Sequence, residues 1–162
     1  ATISSHAPYK NGLPIVFYGS SITQGSAASR PGLTYTARLC RAVDATEINF
    51  GFAGNAKGEE NLAELISNLD MSVFVYDYDH NAPNPEYLAE THKRGFDIMR
   101  AAHPDIPIIM VSRPVFTVDF DNKSPSYEDE ARLELITRNY KKAKNSGDKN
   151  VYFIDGISIK VN

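Results

Sequence analysis

Residues 15–25 read Ile-Val-Phe-Tyr-Gly-Ser-Ser-Ile-Thr-Gln-Gly. The opening apolar run is too short for a helix, and a glycine followed by hydroxyl side chains cuts it off. This pattern predicts a strand at residues 15–18, buried on both faces, that empties into a tight polar turn. Gly19 lets the chain turn sharply out of the strand, and Ser20 and Ser21 fall where a helix can begin. A hydroxyl at that place stands above the sheet, where the backbone N–H groups and dipole of the next helix can stabilise an oxyanion. Alone, Gly-x-Ser reads equally well as a serine-rich turn capping a helix.

Four similar runs lie downstream, at residues 45–50 (ATEINF), 72–78 (SVFVYDY), 106–112 (IPIIMVS) and 151–155 (VYFID). Helical periods separate them: Tyr35, Leu39, Ala42, Val43; then Leu62, Leu65, Ile66, Leu69; then Leu88, Phe96, Met99; then Leu133, Ile136, Tyr140, Ala143. Asn84-Pro85 reads as a cap followed by proline at the first helical position. Ser126 is a candidate cap for the last helix, with Glu128, Asp129 and Glu130 early in it, Lys141, Lys142 and Lys144 near its end, and Gly147 beyond. Strand–helix alternation predicts right-handed crossovers and a three-layer α/β/α sandwich.

Length and composition narrow the field. A chain of 162 residues suggests one domain, with 1–13 as a lead-in or linker and 14–162 as the domain. The fifth strand run is followed by only seven residues, where an alternating β/α domain should feed another loop and helix, so a truncated unit is expected. The opening Ala-Thr-Ile-Ser-Ser fits a removed signal or an excised piece, and an exported location is favoured. The single cysteine, Cys40, excludes an intrachain disulfide and a cysteine-rich zinc site, and no His-x-x-x-His spacing suggests a metal. Seventeen basic against twenty acidic residues, with no basic block longer than Lys141-Lys142, argues against nucleic acid as a partner. No apolar run approaches the roughly 20 residues of a membrane span. Oligomeric state is left open.

In open parallel sheets, sites form where strands end at their carboxyl side. Those exits read GSSITQG at 19–25, GFAGN at 51–55, DHNAPN at 79–84 and Arg113-Pro114. Residues 115–126 continue the longest irregular stretch, a candidate rim loop.

Taken together, Gly19-Ser20-Ser21-Ile22-Thr23, then Asn49-Phe-Gly-Phe-Ala-Gly-Asn55, then Asn81, each past successive strands, resemble the SGNH/GDSL hydrolase superfamily. The stretch from Val16 to Gly25, with Ala28-Ser-Arg-Pro-Gly32, is similar to its GDSL-like acylhydrolase and carbohydrate-esterase branch. The resemblance implies a flavodoxin-like fold with a five-stranded parallel sheet in the order 2-1-3-4-5. It also implies Ser21 as nucleophile, and an oxyanion hole made by the Ser21 N–H, the Gly54 N–H and the Asn81 side-chain amide. No cofactor is implied. Ser20 stands where the family's Asp is usual, and Asp79-His80-Asn81-Ala82 replaces its Gly-x-Asn-Asp. Plainer readings stand beside these: Asn81 as an Asx-turn residue, Gly54 as an ordinary turn, Asp155 as a strand-end cap.

A serine hydroxyl needs a general base. The family places an Asp-x-x-His after the fifth strand, and residues 156–162 (GISIKVN) contain no histidine. His6 lies in the N-terminal tail, His92 on the apolar side of a helix and His103 at the opposite end of the sheet. His80 is the one candidate near the exits, with Asp77 or Asp79 to orient it, and reads better as a substrate contact or a loop hydrogen bond. The acid and base are therefore expected beyond residue 162. Arg113 is a second candidate substrate contact, or else a surface ion pair. The expected activity is removal of a small acyl group, such as acetyl, from a carbohydrate or similar ester. Two alternatives stay open: a non-catalytic carbohydrate-binding relative, and a flavodoxin-like FMN binder with Tyr76 or Tyr78 stacked on the ring.

Overall fold

The computed structural model describes residues 7–114 and 127–159. In chain order it contains β1 (Asn11–Gly19), α1 (Ser21–Gln24), α2 (Tyr35–Val43), β2 (Ala45–Gly51), α3 (Glu60–Ser67), β3 (Val73–Asp77), α4 (Pro85–Ala102), β4 (Ile108–Val111), α5 (Tyr127–Asn145) and β5 (Val151–Ile154). All strand pairs are parallel and the sheet order is β2-β1-β3-β4-β5. This is the expected three-layer α/β fold.

The alternation of side chains along the strands divides the core into two layers. On one face Val16, Tyr18, Phe74, Tyr76, Ile108, Met110 and Val151 pack with Ile66, Leu88, Met99 and Ile136 of α3, α4 and α5. On the other, Phe17 and Val75 meet Cys40 and Tyr35 of α2. Both faces of the sheet carry apolar side chains, which is why the strands read as continuous apolar runs rather than alternations.

Some boundaries differ from the sequence reading. β1 begins at Asn11, within the expected lead-in, because Asn11 pairs with Ala45 across a register shift. β4 begins only after Pro107, which lacks the N–H a ladder needs. The α2 stripe is corrected more substantially: Leu39 and Val43 are 51% and 47% exposed, and the buried residues are Thr36 and Cys40. Polar tethers fix this rotation. The Tyr35 hydroxyl donates to Asp77 Oδ2 at 2.8 Å, and Thr36 Oγ1 accepts from Asn49 Nδ2 at 3.1 Å. Leu65 is likewise exposed on α3, whereas Ile66 is buried.

The helix ends largely follow the sequence. Asn84 Oδ1 accepts from the Tyr87 N–H at 2.8 Å, with Pro85 opening α4. Glu128, Asp129 and Glu130 lie in the first turn of α5, and Gly147 adopts φ 95° just past its end. The proposed Ser126 cap and the rim loop at 115–126 lie outside the described residues. Among the described residues no helix is long and apolar enough to cross a membrane.

Candidate active site

The exit of β1 is built by its hydroxyls. Ser20 is buried and extended, and its Oγ accepts the Ile22 N–H at 3.2 Å, capping α1. Ser20 thus has a structural task at the position where the family's aspartate is usual. Ser21 follows as the first residue of α1 and is partly exposed. As the opening residue of a helix, its N–H has no partner inside that helix.

The exit of β2 is bonded directly to this turn. The Phe52 N–H donates to the Gly19 carbonyl at 2.9 Å, and the Ala53 N–H donates to Gln24 Oε1 at 3.0 Å. A Cβ at Gly51 would lie 2.1 Å from the Gln24 backbone nitrogen, so this contact between β2 and α1 requires glycine. Gly54 has φ 71°, with open space where a Cβ would stand. Backbone conformation rather than crowding favours glycine there.

The exit of β3 forms a 3-10 turn, Asp79–Asn81. The Asn81 side chain does not close its own turn. Its Nδ2 donates to the Phe52 carbonyl at 2.8 Å, across to the β2 exit. A carboxamide has two N–H donors, so this bond orients the second. The three exits holding Ser21, Gly54 and Asn81 are thereby joined by direct hydrogen bonds.

Beneath them lies a buried carboxyl group. Asp77 Oδ2 accepts from Thr23 Oγ1 at 2.9 Å and from the Tyr35 hydroxyl at 2.8 Å, tying α1 and α2 to β3. Burial pushes its pKa up to about 6, against the lowering effect of the two hydroxyls, and nearby Asp79 adds to the rise. Between about pH 4 and pH 6 the folded carboxyl holds a proton that the unfolded chain has released. Stability therefore falls as pH rises through that window, by roughly 3 kcal/mol in full. Asp77→Asn keeps an acceptor without the charge. Urea unfolding at pH 4.5 and 7.5 is expected to show a smaller loss of stability in Asp77→Asn than in the native protein; equal losses would remove Asp77 as the source.

His80, on the Asp79–Asn81 turn, is partly buried, and burial holds its pKa below the ordinary imidazole value. Asp79 opposes that shift, while Arg113 and Arg132 reinforce it. Arg113 leaves β4 with its N–H donating to Asp79 Oδ2 at 2.8 Å, and its Nε donates to Asp129 Oδ1 of α5 at 2.8 Å. Its guanidinium is thus engaged with α5 beside the turn. His92 is buried in α4 against the Tyr76 ring, with centroids 4.8 Å apart, and burial pushes its pKa down to about 3. His103 ends α4 and pairs with the Ser67 carbonyl at 2.9 Å. Tyr76 and Tyr78 are 2% and 1% exposed, which removes the stacking rings of the flavin reading. Among the described residues no cluster of three His, Cys, Asp or Glu could hold a metal.

Three further residues shape the site; the sequence reading gave Asn49 and Arg132 no role of their own and considered Asp77 only as an orienter of His80. Asn49 donates to the Thr23 carbonyl at 2.8 Å and accepts the Gly51 N–H at 2.8 Å. Asp77 is the second. The third is Arg132, whose position four before Ile136 and three before Leu135 places it on the buried stripe of α5. That spacing was the signal that could have found it.

The sequence model of the GDSL-like lipase/acylhydrolase family matches residues 12–162. The chain belongs to this family. Solved structures of GDSL and SGNH hydrolases share its fold. One, described as a GDSL-like lipase of Bacteroides ovatus, is 33% identical with a TM-score of 0.81, covering 93% of this chain and 44% of that one. The salicylyl-acyltransferase SsfX3 of a tetracycline biosynthetic pathway is 22% identical with a TM-score of 0.77, covering 91% and 44%. A family two carbohydrate esterase from Clostridium thermocellum is 15% identical with a TM-score of 0.69, covering 94% and 55%. This GDSL-like chain therefore spans less than half the length of the first two. No curated protein matches it.

Proposed function

We propose that this GDSL-like domain supplies the nucleophile and oxyanion donors of a serine esterase that removes small acyl groups, such as acetyl, from a carbohydrate or similar ester. Ser21 Oγ attacks the ester carbonyl. The C–O bond to the alcohol breaks after the tetrahedral state, the alcohol leaves with a proton, and water then releases the acid from the acyl-serine. The Ser21 N–H, the Gly54 N–H and the free N–H of the Asn81 amide receive the negative oxygen. The family pattern puts the general base, a histidine, after β5, and residues 156–162 contain none. His80 and Arg113 are assigned to substrate contact at the rim.

The observation that carries this reading is the Asn81-to-Phe52 bond, which draws the third exit onto the loop holding Gly54. The carbohydrate esterase from Clostridium thermocellum shares this fold. A fluorophosphonate tests the nucleophile: after reaction with the intact protein, mass spectrometry is expected to find the adduct on the peptide carrying Ser21. An adduct on a different serine would overturn the assignment.

A further inference from the structure

We propose that Arg132 is a positioning residue for Asn81: from α5 it clamps the Asp79–Ala82 turn in the orientation that aims the Asn81 amide into the site. The inference rests on the reading of Ser21 and Asn81 above.

Arg132 and Asp79 are each 1% exposed. Arg132 Nη1 donates to the Asp79 carbonyl at 2.9 Å and to Asp79 Oδ1 at 3.0 Å. Its Nη2 donates to the Ala82 carbonyl at 2.8 Å and to Glu128 Oε1 at 2.7 Å, and its Nε donates to the same Glu128 oxygen at 3.0 Å. These bonds use all five guanidinium N–H donors. Three of them grip the two ends of one short turn, Asp79 and Ala82, and the residues between those grips are His80 and Asn81. The remaining Asp79 oxygen, Oδ2, accepts the Arg113 N–H at the exit of β4. The turn is thus fixed from α5 and from β4, while Asn81 itself reaches to β2.

A buried ion pair gives little net stability over apolar packing of the same volume, so holding the domain together does not explain this arrangement. It does supply direction. The planar fork fixes five bond vectors: one rigid group holds the Ala82 carbonyl and adds a second bond to the Asp79 carbonyl, which already accepts the Ala82 N–H at 3.2 Å. If the turn swings, Asn81 loses its alignment, and a misplacement of about 1 Å can cost about 10² in rate. Lysine keeps the charge but has three donors on a flexible stem, too few for these acceptors.

The test is a double-mutant cycle on the intact protein, read by the second-order rate of Ser21 modification by a fluorophosphonate. Arg132→Lys is expected to slow modification about 10²-fold when Asn81 is present. In an Asn81→Ala background the same change is expected to cost less than about threefold, because the group it positions is gone. Equal losses in both backgrounds, or no loss in either, would overturn the proposal. A second readout does not depend on Ser21 chemistry. The Asn81 and Ala82 amides, bonded to the Tyr78 and Asp79 carbonyls, are expected to exchange with deuterium at least about tenfold faster in Arg132→Lys, while the Phe74 amide in β3 is unchanged. Unaltered protection at Asn81 and Ala82 sinks the clamp even if Ser21 proves not to be the nucleophile. Should Arg132→Lys fail to fold, Glu128→Gln leaves the Asp79 pair intact and loosens only the far side of the fork. It is expected to move both readouts in the same direction by a few-fold, and an absence of movement counts against the proposal.

Discussion

Replacing Ser21 by alanine is expected to lower kcat for a small ester such as p-nitrophenyl acetate by about 10⁶ in the intact protein, with KM changed little. The size follows from the chemistry. Without the oxygen there is no acyl-serine, and only binding and the oxyanion donors remain, worth roughly 10³–10⁴ over water. The fold should not register the change. The structural bonds of Ser21 come from its backbone carbonyl, which accepts the Gly25 and Ser26 N–H groups at 2.9 and 3.0 Å. The cap of α1 belongs to its neighbour Ser20. Ser20→Ala should therefore behave in the opposite way, costing about 1 kcal/mol of stability through the lost cap. Steady-state kinetics of both variants beside thermal denaturation separate the two serines. A loss under tenfold in Ser21→Ala would place the nucleophile elsewhere, and a rise in KM with kcat intact would make Ser21 a binding contact only.

The contrast between those two serines shows how far the sequence could be read. The strands were legible because both faces of the sheet are buried, so each strand announced itself as an apolar run closed by a polar turn. The helix α4 was legible from Asn84-Pro85 and from Leu88, Phe96 and Met99, all of which are buried. The exits were legible because Gly19, Gly54 and Asn81 break those runs at points the topology then brings to one end of the sheet. What the sequence did not disclose were contacts made by polar groups at long separation. Periodicity put Leu39 and Val43 of α2 inside, yet the bonds from Tyr35 to Asp77 and from Asn49 to Thr36 turn that helix about its axis. Hydrophobic pattern measures transfer from water, and carries no record of which hydroxyl reaches which carboxylate. Arg132 was hidden for the same reason: a charged residue in a helix reads as solvated until its partners, more than fifty positions earlier at Asp79, are brought against it.

Asn81→Ala is expected to lower kcat by about 10²–10³, the usual cost of one oxyanion donor, with little change in KM. The ground-state carbonyl oxygen carries a small partial charge, and the tetrahedral oxygen carries nearly a full one. A donor fixed in advance therefore acts mainly on the transition state. The fixing is visible: one N–H of the amide is committed to the Phe52 carbonyl at 2.8 Å, and the backbone N–H of Asn81 is committed to the Tyr78 carbonyl at 2.9 Å. The side chain therefore need not reorganise as charge develops. Asn81→Asp should be worse than alanine, because a carboxylate offers no N–H, repels the developing oxyanion and also faces the Phe52 carbonyl. Single-turnover rates across pH 6 to 9 for the two variants distinguish the possibilities. If the loss appears in KM instead, Asn81 binds substrate rather than the oxyanion. If alanine and aspartate both leave the rate intact, its bond to Phe52 serves only to tie two loops together.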